Sequence, residues 1–81
     1  MQQHEVIELF KKAAWEIDQK KLGDLKPEDK IRALGIDSVA MLEVIGFFEE
    51  ELNIHLPDDK LSRVETIGDL ATLIAQARPA A

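Results

Sequence analysis

A serine directly follows an aspartate in the stretch LGIDSV, at the point where a loop is predicted to give way to a helix. The side-chain oxygens of Asp37 and Ser38 can both accept hydrogen bonds from the unpaired amides at a helix N-terminus. One of the two residues is enough for that capping role, so the other is free for a different chemistry. The hydroxyl of Ser38 can act as a nucleophile, or it can carry a group that another enzyme attaches.

The surroundings of Ser38 do not favour hydrolysis. A hydrolase serine needs a general base, usually histidine, and a third group that orients the base. The two histidines are His4, near the start of the chain, and His55, beyond the far end of the predicted helix. That helix is about 22 Å long, and glycines do not flank Ser38 as they do in a nucleophile elbow. Modification fits better, because a helix N-terminus stabilises the charge of a phosphate ester.

Composition limits the classes of partner and of site. The 81 residues carry a net charge of −6 and include no cysteine, which excludes a cysteine nucleophile and fits a reducing compartment. The segment from Asp37 to Asp69 holds nine acids against Lys60 and Arg63. Such a surface repels nucleic acid and attracts basic proteins. Without a signal peptide or a membrane-spanning stretch, we expect a cytoplasmic protein.

Hydrophobic periodicity predicts one all-α domain, a small bundle of three main helices and one short helix. We expect helices over 3–20, 38–52 and 57–61, and a last helix that a capping box opens at Thr66. No helical or strand period appears from 23 to 37, although the apolar residues there indicate a loop held against the core. Residues 78–81 are predicted to be a frayed tail outside the ordered range 3–77.

The predicted helix over 38–52 has a core face and an unusual outer face. Its core face is formed by Met41, Val44, Ile45, Phe48 and Leu52. On the outer face we define a docking strip, in which three apolar residues are set among glutamates, as Val39, Leu42, Glu43, Phe47, Glu49 and Glu50. The acids can steer basic partners while the apolar groups supply contact. Any one exposed apolar residue is ordinary, so the hypothesis depends on the set.

From Leu34 to Ile74 the sequence resembles the acyl carrier proteins, whose signature is Gly-x-Asp-Ser-Leu followed by an acidic helix. The stretch LGIDSV matches that signature, with valine in place of the usual leucine. Further matching features follow at the family's spacing: Glu43, the run Glu49-Glu50-Glu51, Leu56-Pro57-Asp58 and the helix start at Thr66. A weaker likeness covers the first helix and the long loop, so the resemblance extends over nearly the whole chain.

The resemblance implies that Ser38 receives a 4′-phosphopantetheine arm from coenzyme A through a Mg²⁺-dependent phosphopantetheinyl transferase. The thiol of that arm would carry acyl groups as thioesters, which makes the chain a carrier and not an enzyme. Asp37 would contact the modifying enzyme. Acyl-transferring and chain-extending synthases with basic patches would be the partners that read the docking strip.

The resemblance leaves the pathway open. Ala40 stands where fatty-acid carriers commonly have an acid, and Phe47 adds an aromatic ring, so both fatty-acid synthesis and a specialised, polyketide-like pathway are compatible. A peptidyl or aminoacyl carrier and an unmodified helical interaction module are the alternatives. We expect a monomer. If an acyl chain folds back into the bundle, we expect it against Val44, Ile45 and Leu73.

We expect neither Trp15 nor the pair Asp58 and Asp59 to form a ligand site. Trp15 lies at the edge of the apolar stripe of the first helix, and we expect it to pack in the core. Asp58 and Asp59 have ligand chemistry for divalent cations but lack the EF-hand pattern, so no dedicated metal site is expected.

Overall fold

The computed structural model describes residues 2–79, and in that range the chain folds into four α-helices and a short 3₁₀ helix. The α-helices are α1 (Gln3–Asp18), α2 (Ser38–Leu52), α3 (Asp58–Leu61) and α4 (Ile67–Gln76). Three of them are long and one is a single turn, which confirms the predicted all-α architecture. The bounds of α2 are those predicted from the sequence.

Helix α1 presents Val6, Phe10, Ala13 and Ala14 to the core. It ends at Asp18, two residues earlier than predicted, because Gln19 adopts the left-handed conformation with φ 48°. The amide of Gln19 then bonds to the carbonyl of Trp15 and closes the last turn. The prediction for Trp15 itself is wrong: its position lies off the core-facing stripe, and 55% of the residue is exposed.

The connection between α1 and α2 is more ordered than its sequence indicates. It contains the 3₁₀ helix Ile31–Leu34, which the lack of a period did not predict. The amide of Ile31 donates to the carbonyl of Glu65 at 2.9 Å, and the amide of Gly68 donates to the carbonyl of Pro27 at 2.7 Å. Because Ile31 and Ile36 are also buried, the loop is held against the core as expected.

The predicted capping box opens α4. The Asp69 amide donates to Thr66 Oγ1 at 3.0 Å, and the Thr66 amide donates to Asp69 Oδ2 at 3.1 Å. The amide of Glu65 donates to the same carboxylate oxygen at 3.1 Å. These bonds, led by the one from Glu65, lower the pKa of Asp69 below its ordinary value.

The core lies between α1, α2 and α4. The rings of Phe10 on α1 and Phe48 on α2 meet at a centroid distance of 6.4 Å. Helix α4 contributes five buried residues to the same core, which are Ile67, Leu70, Ala71, Leu73 and Ile74. Within residues 2–79, no helix combines the length and the apolarity that crossing a membrane requires.

The predicted frayed tail is partly ordered. Two short strands, β1 (Ile54–His55) and β2 (Arg78–Pro79), pair antiparallel and hold residues 78 and 79 beside the segment that follows α2. No alternation of apolar and polar residues predicts these strands, because a two-residue strand is too short for a period. The rest of the predicted tail, residues 80 and 81, lies outside the described residues.

Candidate functional site

Asp37 is the residue that caps α2. Its Oδ1 accepts a hydrogen bond from the amide of Ala40 at 2.8 Å, and its carbonyl accepts one from the amide of Met41 at 2.9 Å. Ser38 is the first residue of the helix and is exposed. The capping bond therefore belongs to Asp37, and the hydroxyl of Ser38 is accessible at the helix N-terminus.

A glycine turn directs the chain into this position. Gly35 ends the 3₁₀ helix with φ 76°, a conformation that favours glycine. A Cβ atom at Gly35 would lie 2.8 Å from Lys20 Nζ, so the turn also leaves space for that side chain. After the turn, Ile36 enters the core while Asp37 and Ser38 stay at the surface.

A cleft of about 610 Å³ opens beside Ser38. Small-molecule sites usually have volumes of roughly 300–1,000 Å³, so its size suits a ligand. The 3₁₀ helix, α2, α3 and the turn after α3 form its walls, and most of the wall residues are aliphatic: Ile31, Ile36, Met41, Leu42, Ile45, Leu61 and Val64. Polar residues, among them Ser38 and Arg32, line the same cleft.

The cleft differs from the expected path of an acyl chain. Ile45 lines it as expected, whereas Val44 and Leu73 do not. Those two residues are buried in the core. Leu61, at the end of the short helix α3, and Val64, in the turn after it, do line the cleft, and their sequence spacing carries no signal that they face Ser38. The accessible space is thus between α2 and α3, and not between α2 and α4.

Four residues of the docking strip lie at the surface, and three of them are near the N-terminus of α2. Val39 is 65% exposed and Leu42 is 69% exposed, although both are large apolar residues. Glu43 and Glu50 are also exposed. The structure therefore brings apolar and acidic side chains together on the outer face of α2, next to Ser38.

Phe47 and Glu49 have different surroundings from the rest of the strip. Phe47 is half-buried and packs edge-on against Phe48, with the ring planes at 89°. Glu49 Oε2 accepts a hydrogen bond from the amide of Leu56 at 3.0 Å and lies 3.6 Å from His55 Nδ1. Because Leu56 is buried, its amide needs this acceptor. Both residues are therefore partly buried, although helical periodicity assigns them to the outer face.

The structure does not pair His55 with Ser38. His55 lies beside Glu49, about three helical turns or roughly 16 Å along α2 from Ser38. Across residues 2–79, no group of three His, Cys, Asp or Glu side chains is arranged to hold a metal ion. A helical bundle with an accessible serine, an acidic outer face and an apolar cleft has the features of a carrier module, in which the serine holds a group that partner proteins act on.

Comparison with known proteins agrees with this class. The family model for the phosphopantetheine attachment site matches residues 9–74. An acyl carrier protein of Acidothermus cellulolyticus is 36% identical over 55 residues, which cover 67% of this chain and 66% of that relative. The crystal structure of an acyl carrier protein from Thermotoga maritima is similar with a TM-score of 0.86 and 26% identity, over 94% of this chain and 89% of that one. The chain belongs to the phosphopantetheine-binding carrier family, and this membership implies a 4′-phosphopantetheine prosthetic group.

The residues around Ser38 fit such a group. The hydroxyl that would form the phosphoester is exposed. The amides of Ser38 and Val39 are the first two of α2 and have no acceptor within the helix, so they favour a negative charge at this end. The aliphatic cleft that begins at the serine can accommodate the apolar part of an attached chain.

Proposed function

We propose that this protein is an acyl carrier that holds acyl intermediates on a 4′-phosphopantetheine arm attached to Ser38. The observation that carries the proposal is the arrangement at the start of α2, where Asp37 makes the capping bond and Ser38 is exposed beside the cleft. When bound, the arm supplies a thiol that forms thioesters, a chemistry that the cysteine-free chain lacks.

Loading requires little chemistry from the chain itself. The Ser38 oxygen would bond to the phosphorus of the pantetheine phosphate in coenzyme A, and the pyrophosphate bond would break to release adenosine 3′,5′-bisphosphate. The hydroxyl proton must pass to a base of the phosphopantetheinyl transferase, because His55 lies at the opposite end of α2. The chain's contribution is to expose the hydroxyl on a capped, rigid helix and to provide a surface for the transferase.

The docking surface that we propose is the exposed part of the strip: Val39, Leu42, Glu43 and Glu50. Partner synthases with basic patches would be attracted by the acids and would bury Val39 and Leu42 on contact. We propose a smaller contribution to this surface from Phe47 and Glu49, because contacts within the chain partly bury both side chains. We further propose that the protein works as a cytoplasmic monomer.

The cleft favours an aliphatic cargo. Most of its wall residues are aliphatic, and such a wall binds hydrocarbon well. This supports an acyl carrier of fatty-acid or polyketide-like synthesis over a peptidyl or aminoacyl carrier.

Intact-mass measurement tests the attachment. The protein is incubated with coenzyme A, Mg²⁺ and a broad-specificity phosphopantetheinyl transferase, and we expect a gain of one phosphopantetheine. Ser38→Ala should abolish the gain. Ser62→Ala is the matched control, because Ser62 is the other serine, lines the same cleft and donates to the Asp59 carbonyl at 2.8 Å. An unmodified wild-type chain would instead support the helical interaction module.

A second measurement tests the cargo. The loaded protein is charged with an octanoyl or an alanyl group, and its amide spectrum is recorded by NMR. We expect the octanoyl group to shift the signals of cleft residues such as Ile45 and Leu61, and the alanyl group to leave them in place. Equal shifts for both groups would contradict the preference for an aliphatic cargo.

A further inference from the structure

We propose that Arg32 is a positioning residue whose guanidinium pairs with the phosphate of the arm on Ser38. This inference depends on the proposed function, because it concerns the phosphodiester that loading creates. It assigns Arg32 the role of fixing where the arm leaves the protein, and therefore of directing it toward the cleft.

Arg32 shares the cleft with the attachment point. It is the second residue of the 3₁₀ helix, it is exposed, and it lines the same cleft as Ser38. The two residues belong to different elements, which the left-handed turn at Gly35 joins. The cleft thus has the attachment point on its α2 side and a cation on its 3₁₀ side.

The 3₁₀ helix holds the backbone of Arg32 firmly. The neighbouring Ile31 is buried, and its amide donates to the carbonyl of Glu65 at 2.9 Å. Lys30 forms an isolated bridge with Thr66 at the start of α4. Because the backbone on this side is anchored to α4, binding an anion would cost the rotamer entropy of the Arg32 side chain but little backbone entropy.

The charges in the cleft leave Arg32 available. Asp37, Asp58 and Glu65 line the cleft with it, so a phosphodiester on Ser38 would otherwise face carboxylates. The ion pairs formed in residues 2–79 join Lys11 to Glu8 and His55 to Glu49, and neither uses Arg32. The Asp37 carboxylate already accepts the Ala40 amide. Arg32 is the cation among the residues that line the cleft, so it can offset the negative charge that loading adds at this point.

Guanidinium chemistry suits the role. Arginine presents several donors in a planar fork that matches two phosphate oxygens, whereas lysine acts as a point charge. We expect Arg32→Lys to retain part of the effect and Arg32→Gln to lose it.

The test follows the phosphate and the arginine directly by NMR. The chain has three arginines, Arg32, Arg63 and Arg78, so each Nε–Hε signal can be assigned by substitution. We compare these signals in the apo protein and in the loaded protein whose mass confirms the arm. The ³¹P signal of the phosphodiester is then recorded in loaded wild type, Arg32→Gln and Arg63→Gln. Arg63 is the matched control, because it is exposed, carries the same charge and does not line the cleft.

We expect the Arg32 signal to shift on loading while those of Arg63 and Arg78 stay in place. The ³¹P signal should move in Arg32→Gln, return toward its wild-type position in Arg32→Lys and be unchanged in Arg63→Gln. A loaded protein with an unshifted Arg32 signal, or with equal ³¹P positions in Arg32→Gln and Arg63→Gln, would overturn the inference and leave the carrier function intact. A chain that takes up no arm would overturn the proposed function itself.

Discussion

The Asp37 carboxylate lies 2.8 Å from the amide nitrogen of Ala40 and thereby takes over the capping of α2. Two adjacent residues that are equally suited to cap a helix thus have separate roles in the folded protein. Ser38 occupies the first helical position, exposed, with a fixed backbone and a side chain that the cap does not need. A modifying enzyme can therefore reach the hydroxyl without disturbing the helix start.

Removal of the cap should destabilise the protein. In Asp37→Ala the Ala40 amide loses its acceptor, and we expect a loss of about 1 kcal/mol in the free energy of unfolding. For a domain of this size, that loss corresponds to a decrease of roughly 4–8 °C in Tm. Urea unfolding and thermal unfolding measure both quantities.

Asp37→Asn is the control for that substitution, because asparagine caps as well as aspartate but has no charge. Its stability should stay within a few tenths of a kcal/mol of wild type. If the transferase contacts the carboxylate, Asp37→Asn will load more slowly at unchanged stability. Equal destabilisation by alanine and asparagine would contradict the capping role.

Glu49 and Glu50 are adjacent in α2 but should respond differently to substitution. Glu49→Ala removes the acceptor of the buried Leu56 amide, and we expect a cost of about 1 kcal/mol in unfolding free energy. Glu50 is exposed, so Glu50→Ala should change stability by less than about 0.5 kcal/mol. For affinity to a basic partner enzyme, we expect the larger loss from Glu50→Ala. The reverse pattern in either measurement would contradict the division of roles.

The helices were predictable from local signals, whereas the contacts that tie them together were not. The start of α2 and the capping box at Thr66 depend on residues within a few positions of each other, so the sequence displays them directly. The pairing of Arg78–Pro79 with Ile54–His55 joins segments that are far apart in the sequence. Neither segment is long enough for a period, so only the folded chain reveals the pair.

The site residues likewise divide into those whose surroundings local sequence signals predict and those whose surroundings depend on distant contacts. The exposure of Ser38, Val39 and Leu42 followed from helical periodicity, because α2 has one core-facing stripe. Periodicity also placed Glu49 at the surface, but it carries no information about the Leu56 amide that turns back to this carboxylate after the helix ends. Arg32 was missed for a related reason: its position in the cleft depends on a 3₁₀ helix that has no sequence period.

The capping box of α4 should make stability depend on acidic pH. Hydrogen bonds from the Glu65 and Thr66 amides lower the pKa of Asp69 below its ordinary value of 3.8. The pKa of Asp69 is lower in the folded protein than in the unfolded chain, so its ionised carboxylate stabilises the fold. This stabilisation is fully present well above pH 3.8 and is lost as the pH falls through 3.8 toward the pKa of the folded state. We expect the stability difference between wild type and Asp69→Asn to shrink across this window in urea unfolding.

Asp24→Asn provides the comparison for Asp69→Asn, because Asp24 is an exposed aspartate in the loop after α1. Its stability difference from wild type should be small near neutral pH. A difference for Asp69→Asn that stays constant down to the acid transition would show that the carboxylate charge does not stabilise the capping box.

Two glycines should respond to alanine with opposite signs. Gly46 lies inside α2, and an added Cβ would have no atom within 4 Å. Gly46→Ala should therefore stabilise the protein by up to about 1 kcal/mol through helix propensity. Gly35→Ala should destabilise it by at least about 1 kcal/mol, because Gly35 has φ 76° and faces Lys20 Nζ. Thermal unfolding of both variants checks the signs, and two changes of the same sign would contradict this interpretation of the backbone.

Leu42 should affect partner binding without affecting the fold. It is 69% exposed on the outer face of α2, so Leu42→Ala removes little buried area, and its stability should stay within about 0.5 kcal/mol of wild type. When a transferase covers the residue, however, the lost apolar contact should weaken docking by about 1–2 kcal/mol, which is roughly a tenfold increase in KM for the carrier. Leu9→Ala is the contrasting variant, because Leu9 packs against the core from α1 and should lower stability more than docking. The KM of the transferase for each variant is measured at a temperature where both variants are folded. A Leu42→Ala variant that loads with wild-type KM would exclude this residue from the docking surface.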